Sequence, residues 1–315
     1  MTTSDELNPL VPHPVEIALA LGMLLGLVTL CLLVVALVVS RTGARTGVTR
    51  EERAVRTIRG MGLVVGVVLA GWVLLEPTPF DRGLGSAAVV APLVLGVVLL
   101  VAVLLGELVV RPRHSGGART ASLRPRRLRD HLPRRLTRLV GAMTVAAVLL
   151  CTYTALTASP DDTGRAGRAL FAQCTATVSS GRGPYPGSFY VVPYLVGLAV
   201  VAVVAVLAAL RISHRTLGAD AVAEERYRLA GLTSVVSAYG LTLSAPFAGI
   251  SFFAGTALLG HSCPQTGWKV VGIAALALTL CSVGTALVCL LGVLAPGALG
   301  AADTTRDTER QEARA

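Results

Sequence analysis

The feature that most limits how this 315-residue chain can fold is a series of apolar runs, each about 20 residues long. An α-helix of about 20 residues crosses the hydrocarbon core of a bilayer. Seven such runs are present, at about 15–40, 60–76, 87–110, 139–158, 190–210, 229–259 and 269–294. Composition agrees, with 53% hydrophobic and 15% charged residues and a mean hydropathy of +0.69. Soluble domains carry about 25% charged residues. An ordinary soluble domain, a disordered chain and a nucleic-acid-binding domain are thereby excluded. The expected fold class is all-α: a polytopic membrane protein with a seven-transmembrane-helix bundle over residues 1–295 and a flexible cytoplasmic tail over 296–315.

The first run does not read as a cleaved signal peptide. Residues 1–14 contain Asp5 and Glu6 but no Lys or Arg, whereas a signal peptide needs a basic leader and a shorter apolar segment. Pro14 suits a first helical turn, and Glu16 suits the positive end of the helix dipole.

Direction follows from where the basic residues fall, because cytoplasmic loops are enriched in Arg and Lys. Segments 41–59, 111–138, 211–228 and the C-terminal tail together hold 23 of the 28; the opposite side holds Arg82, Arg165, Arg168, Arg182 and Lys269. The N-terminus is therefore expected outside and the C-terminus inside, in a multi-pass cell-membrane protein. Several aromatics, among them Trp72, Tyr153, Tyr185, Tyr190 and Trp268, fall near the outer ends of the spans. They read as interface anchors or as the lining of an outward-opening pocket.

The net charge of +10 carries little about partners. All but one of the basic residues are arginine, the exception being Lys269, which is a mark of a GC-rich genome. The densest charge run, residues 111–138, includes Arg124, Arg126, Arg127, Arg129, Arg134 and Arg135. These either fix topology alone or also contact anionic lipid headgroups.

Cys31, Cys151, Cys281 and Cys289 lie within spans, where a free thiol behaves as a small hydrophobe. Cys174 and Cys263 lie in two different outer loops, facing an oxidising compartment, and are expected to pair. A competing reading of that corner is a metal site using His261, Cys263 and the remote His13, but zinc sites usually show two spaced ligand pairs and only one is present. No metal and no cofactor is expected.

Span six is the unusual helix. It is long, rich in hydroxyls, and carries Gly240, Ser244 and Ala248 at the four-residue spacing that lets helix backbones approach closely. Pro246 should kink it. Tyr239, Gly240, Ser244 and Pro246 are accordingly candidates either for packing or for the lining of a pore. Span two repeats the close-packing signal at Gly62, Gly66 and Ala70.

Glu51-Glu52-Arg53 before span two echoes Glu224-Glu225-Arg226 before span six. Spans one to three and five to seven would then be parallel repeats around a connector, the three-one-three plan of some small transporters. Biased composition accounts for so short a match equally well.

No acidic or basic residue is expected at the membrane midplane, where such groups are costly and usually functional. Glu16, Glu76 and Glu107 fall at span ends, and Lys269 lies too far out to carry a retinal Schiff base. Hydrolase and nucleotide-binding motifs are lacking. The expected function is non-enzymatic: binding of a membrane or envelope partner or ligand, a second membrane protein included, through the outer loops. The alternative is a permease for a small uncharged solute.

Two stretches carry resemblances. Asn8-Pro9-Leu10-Val11-Pro12-His13-Pro14-Val15-Glu16-Ile17 is similar to the start of F-type ATP synthase b subunits, but no charged stalk follows the first span, so that function does not carry over. Pro184-Tyr185-Pro186-Gly187-Ser188-Phe189-Tyr190, with residues 255–263, resembles uncharacterised multi-pass membrane proteins of GC-rich Gram-positive bacteria. That resemblance implies a membrane class and no activity.

Overall fold

The computed structural model describes residues 50–75, 85–109, 132–175, 178–214, 221–263 and 266–296. The expected first span, at about 15–40, and the tail beyond 296 lie outside them. Six long helices are described: α1 (Arg50–Leu75), α2 (Ala87–Val109), α3 (Arg134–Thr157), α4 (Ser188–His214), α5 (Ala221–Leu259) and α6 (Thr266–Leu294). All six are long and apolar enough to span a membrane. They match the second to seventh apolar runs.

Two helices begin well before their apolar runs. α1 starts at Arg50 and α5 at Ala221, whereas the runs start near 60 and 229. The sequence of their leading turns is charged yet helix-compatible, since acidic residues such as the Glu-Glu pairs at 51–52 and 224–225 are favoured in a first turn. Hydropathy marks where a helix enters lipid, whereas the hydrogen-bond ladder continues into the aqueous layer.

α5 is the axis of the bundle. It packs against α2, α3, α4 and α6. Of its spanning window 61% is buried, against 22–44% for the other five. Small residues permit these approaches. A Cβ on Gly240 would stand 2.8 Å from Val140 Cγ2 of α3 and 2.5 Å from Cys289 Sγ of α6. α1 meets α2 through Gly62, opposite Ala102, and Gly66, opposite Leu95. The hydroxyls of α5 largely satisfy themselves: Thr233, Ser234, Thr242 and Ser251 each donate to the carbonyl four residues back. Such back-bonding lets polar side chains enter an apolar interior.

At one end of the bundle the segment between α3 and α4 is not irregular loop. It forms a two-stranded antiparallel hairpin, β1 (Leu170–Gln173) and β2 (Ser179–Arg182), with Leu170 opposite Arg182 and Gln173 opposite Ser179. An all-helical reading omits this element, because Ser179-Ser180-Gly181-Arg182 offers no apolar alternation to mark a strand. Tertiary contact supplies what propensity lacks. Leu170 and Tyr185 are fully buried against Ala257 and Leu258 at the end of α5.

Candidate functional site

The hairpin is fastened to the bundle at three points. Cys174, just after β1, is disulfide-bonded to Cys263 in the α5–α6 connection, with Cα atoms 5.6 Å apart. Arg182, the last residue of β2, donates from Nη1 to the carbonyl of Gly260 just beyond α5. A cation there suits the negative end of the helix dipole. The Tyr185 hydroxyl shares a 2.7 Å hydrogen bond with Thr157 Oγ1 at the end of α3. Burial pushes the Tyr185 phenol up to about 12, with the Thr157 hydrogen bond opposing that shift.

A further set of contacts runs through residues 159–168. Asp161 Oδ1 accepts from the Thr163 amide at 3.0 Å, the Thr163 hydroxyl at 2.6 Å and the Arg165 amide at 2.8 Å. Asp161 Oδ2 accepts from Arg168 Nη1 at 2.7 Å. Gly164, at φ +78°, supplies the left-handed residue that this tight turn needs. The Thr163 hydroxyl foremost, then the Arg165 amide and the Arg168 charge, hold the Asp161 carboxyl below its ordinary range. Arg168 lies over the Phe189 ring at 5.3 Å and donates from Nη2 to the Tyr190 hydroxyl at 3.4 Å. The guanidinium is thus pinned on two edges and one face.

Beneath this roof lies a cavity of about 400 Å³. Gly85, Ala88 and Val89 at the start of α2 form one wall, and Pro246, Gly249, Ile250 and Phe253 of α5 form another. Tyr190 of α4, with Arg168, Pro184, Tyr185 and Pro186, closes the hairpin end. Gly85, Ala88, Gly249 and Phe253 are exposed, so the mouth opens sideways between α2 and α5. Along α5 the lining runs from Pro246 to Phe253, roughly 10 Å at 1.5 Å per residue. Volumes of about 300–1,000 Å³ with a few polar groups are typical of small-molecule sites.

Of the four α5 residues singled out as pore or packing candidates, Pro246 lines the cavity. Gly240 sits at the contact with Val140 and Cys289. Ser244 is fully buried, with its hydroxyl unpartnered. The Tyr239 hydroxyl shares a 3.3 Å hydrogen bond with Thr144 Oγ1 of α3. Arg134 and Arg135 are exposed in the first turn of α3, at the end of the bundle away from the hairpin. Cations at a helix N-terminus gain nothing from the dipole there. Arg124, Arg126, Arg127 and Arg129 lie outside the described residues.

The disulfide takes the thiol that a metal reading of His261 and Cys263 would need. His261 instead stands edge-on to Trp268, ring centroids 5.1 Å apart, and its Nδ1 accepts from the Cys263 amide at 3.2 Å. Among the described residues no group of three or more His, Cys, Asp or Glu could hold a metal ion, and His13 lies outside them.

Sequence reasoning missed Asp161 and Arg168 as a pair, although Asp161-Asp162-Thr163-Gly164 carries a turn signal. It also missed the buried Arg59 and Arg228 near the other end of the bundle, which no spacing rule marks. No protein-family model matches the chain, and no curated protein or solved structure matches it significantly.

Proposed function

We propose that this is a non-enzymatic protein of the cell membrane that binds a membrane- or envelope-derived ligand at its outer end. It has seven spans, with the N-terminus outside and the C-terminus in the cytoplasm. The observation that carries this reading is the 400 Å³ cavity, mostly apolar and roofed by a hairpin that a disulfide ties to α5 and α6. Rigid roofs of this kind preorganise a site rather than merely connect helices. The Cys174–Cys263 bond also supports an outward orientation of the hairpin end, because disulfides persist in oxidising compartments. Arg134 and Arg135, exposed at the other end, suit anionic headgroups of the cytoplasmic leaflet.

The test is mild-detergent extraction followed by native mass spectrometry of the full chain. A defined adduct is expected, and it should vanish in Gly249→Leu, whose added side chain enters open space. A chain that carries no adduct and is unchanged by that substitution would contradict the proposal. A C-terminal fusion to green fluorescent protein should fluoresce, whereas a C-terminal alkaline phosphatase should stay inactive; the reverse pattern overturns the orientation.

A second reading, a permease for a small uncharged solute, draws on the unpartnered buried hydroxyls of Ser237 and Ser244 along α5. It requires solute flux through the purified protein in liposomes, altered by Ser244→Ala or Tyr239→Phe.

A further inference from the structure

We infer that the cavity takes an uncharged ester lipid. A glycerolipid carbonyl accepts from the Arg168 guanidinium, and the acyl chain lies along α5 between Pro246 and Phe253. The inference rests on the reading of this cavity as a ligand site.

Charge balance comes first. Among the described residues lining the cavity Arg168 alone is charged, and Asp161 neutralises it at 2.7 Å. Asp161 is held in place by four hydrogen bonds, accepting from Thr163, Arg165 and Arg168 together. A ligand carboxylate or phosphate on Arg168 would have to share one guanidinium with that fixed anion. Two anions so close repel and disfavour the charged form of each. An uncharged carbonyl meets no such penalty and still gains a charge-assisted hydrogen bond.

Donor capacity comes second. A guanidinium has five N–H groups in a fixed fork. Asp161 engages Nη1, while among the described residues Nη2 reaches the Tyr190 hydroxyl at a long 3.4 Å. Both Arg168 and Tyr190 line the cavity, and stacking on Phe189 holds the plane of the fork. The arrangement is a pre-positioned donor at one end of an apolar chamber.

The route of entry comes third. The mouth lies between Ala88 of α2 and Gly249 of α5, both within the apolar spanning windows 87–106 and 227–259. Such an opening admits molecules dissolved in the bilayer, which makes the source a membrane lipid rather than an aqueous solute.

The experiment titrates the full-length protein in dodecylmaltoside with three single-chain probes: monoolein, its oleyl glycerol ether and oleate, followed by thermal unfolding. Monoolein should bind about tenfold more tightly than the ether, the effect of one hydrogen bond to a charged group. It should also bind more tightly than oleate. Arg168→Gln should erase the ester-over-ether preference, with an intact disulfide and a cooperative transition as the checks on folding. Asp161→Asn, which leaves Arg168 uncompensated, should reverse the order so that oleate binds more tightly than monoolein. A merely structural Asp161–Arg168 pair predicts no such reversal. Equal binding of ester and ether, or tighter binding of oleate to the unaltered protein, overturns the inference. Should none of the probes bind while Gly249→Leu still removes a native adduct, the ester assignment fails and the cavity reading stands. Should Gly249→Leu leave the adduct in place, the cavity reading itself fails.

Discussion

The Tyr194 hydroxyl of α4 donates a 2.9 Å hydrogen bond to the backbone carbonyl of Leu243 in α5, three residues before Pro246. A proline inside a helix removes one N–H and crowds the preceding turn, loosening the ladder there. Tyr194 is fully buried, so its phenol needs a partner, and the proline-bearing stretch of α5 supplies an acceptor. The same turn leads into the cavity wall, which ties the shape of the site to a contact just beyond it along α4 and α5.

Tyr194→Phe should therefore destabilise the fold by about 1 kcal/mol, the scale of hydrogen bonds between membrane helices. It should also weaken ligand retention, although residue 194 does not line the cavity. Unfolding in mixed micelles measures the first effect and native mass spectrometry the second. A variant as stable as the parent would show that the hydroxyl contributes nothing to the α4–α5 contact.

Breaking the Cys174–Cys263 bond should loosen the roof. The chain-entropy treatment assigns about 4–5 kcal/mol to a loop of this length, but membrane-held helices keep the ends close even when reduced, so a smaller loss is expected. Cys174→Ser, Cys263→Ser and the double variant should lose equal stability, since each abolishes the same bond. Native alkylation and non-reducing mass spectrometry should find neither thiol accessible in the parent chain.

Gly240→Ile should be poorly tolerated. Its Cβ would meet Val140 and Cys289, and both belong to helices anchored elsewhere. Overpacking of this kind typically costs about 1–3 kcal/mol. Gly249→Ile, nine residues further along the same helix, should leave stability almost unchanged, because a Cβ there meets nothing within 4 Å. Paired melting curves of the two variants decide the point.

Tyr185 predicts a pH dependence. Burial favours its neutral phenol in the folded state, raising it from 10.0 to about 12. Its contribution to stability is complete below pH 10 and declines as the pH rises toward 12, because the unfolded chain loses the proton first. Tyr185→Phe should flatten that part of the stability profile. An ionisation near pH 10 seen by ultraviolet absorbance and lost in Tyr185→Phe would show the phenol to be solvated.

Six spans could be read from the chain because one physical requirement dominates in lipid: every backbone polar group must be satisfied within the segment, so long apolar runs become helices. The Cys174–Cys263 pair was legible for a related reason, since exclusion from the membrane left only two cysteines to meet. Close packing at Gly62, Gly66 and Gly240 was visible as four-residue spacing, though the partners Ala102, Leu95 and Cys289 were not.

The site itself belongs to the tertiary structure. Asp161 and Arg168 lie seven residues apart, and only the turn at Gly164 and the stacking on Phe189 make them a roof element. The hairpin exists because Leu170 and Tyr185 find Ala257 and Leu258 at the end of α5, a contact between segments about 70–90 residues apart. The cavity arises where α2, α4 and α5 fail to close around Pro246 and Gly249. Hydropathy is a sum over neighbouring residues and so determines what lies in the membrane. Which faces meet, and where they leave space, depends on shape matching between distant segments, and that is decided only when the helices pack.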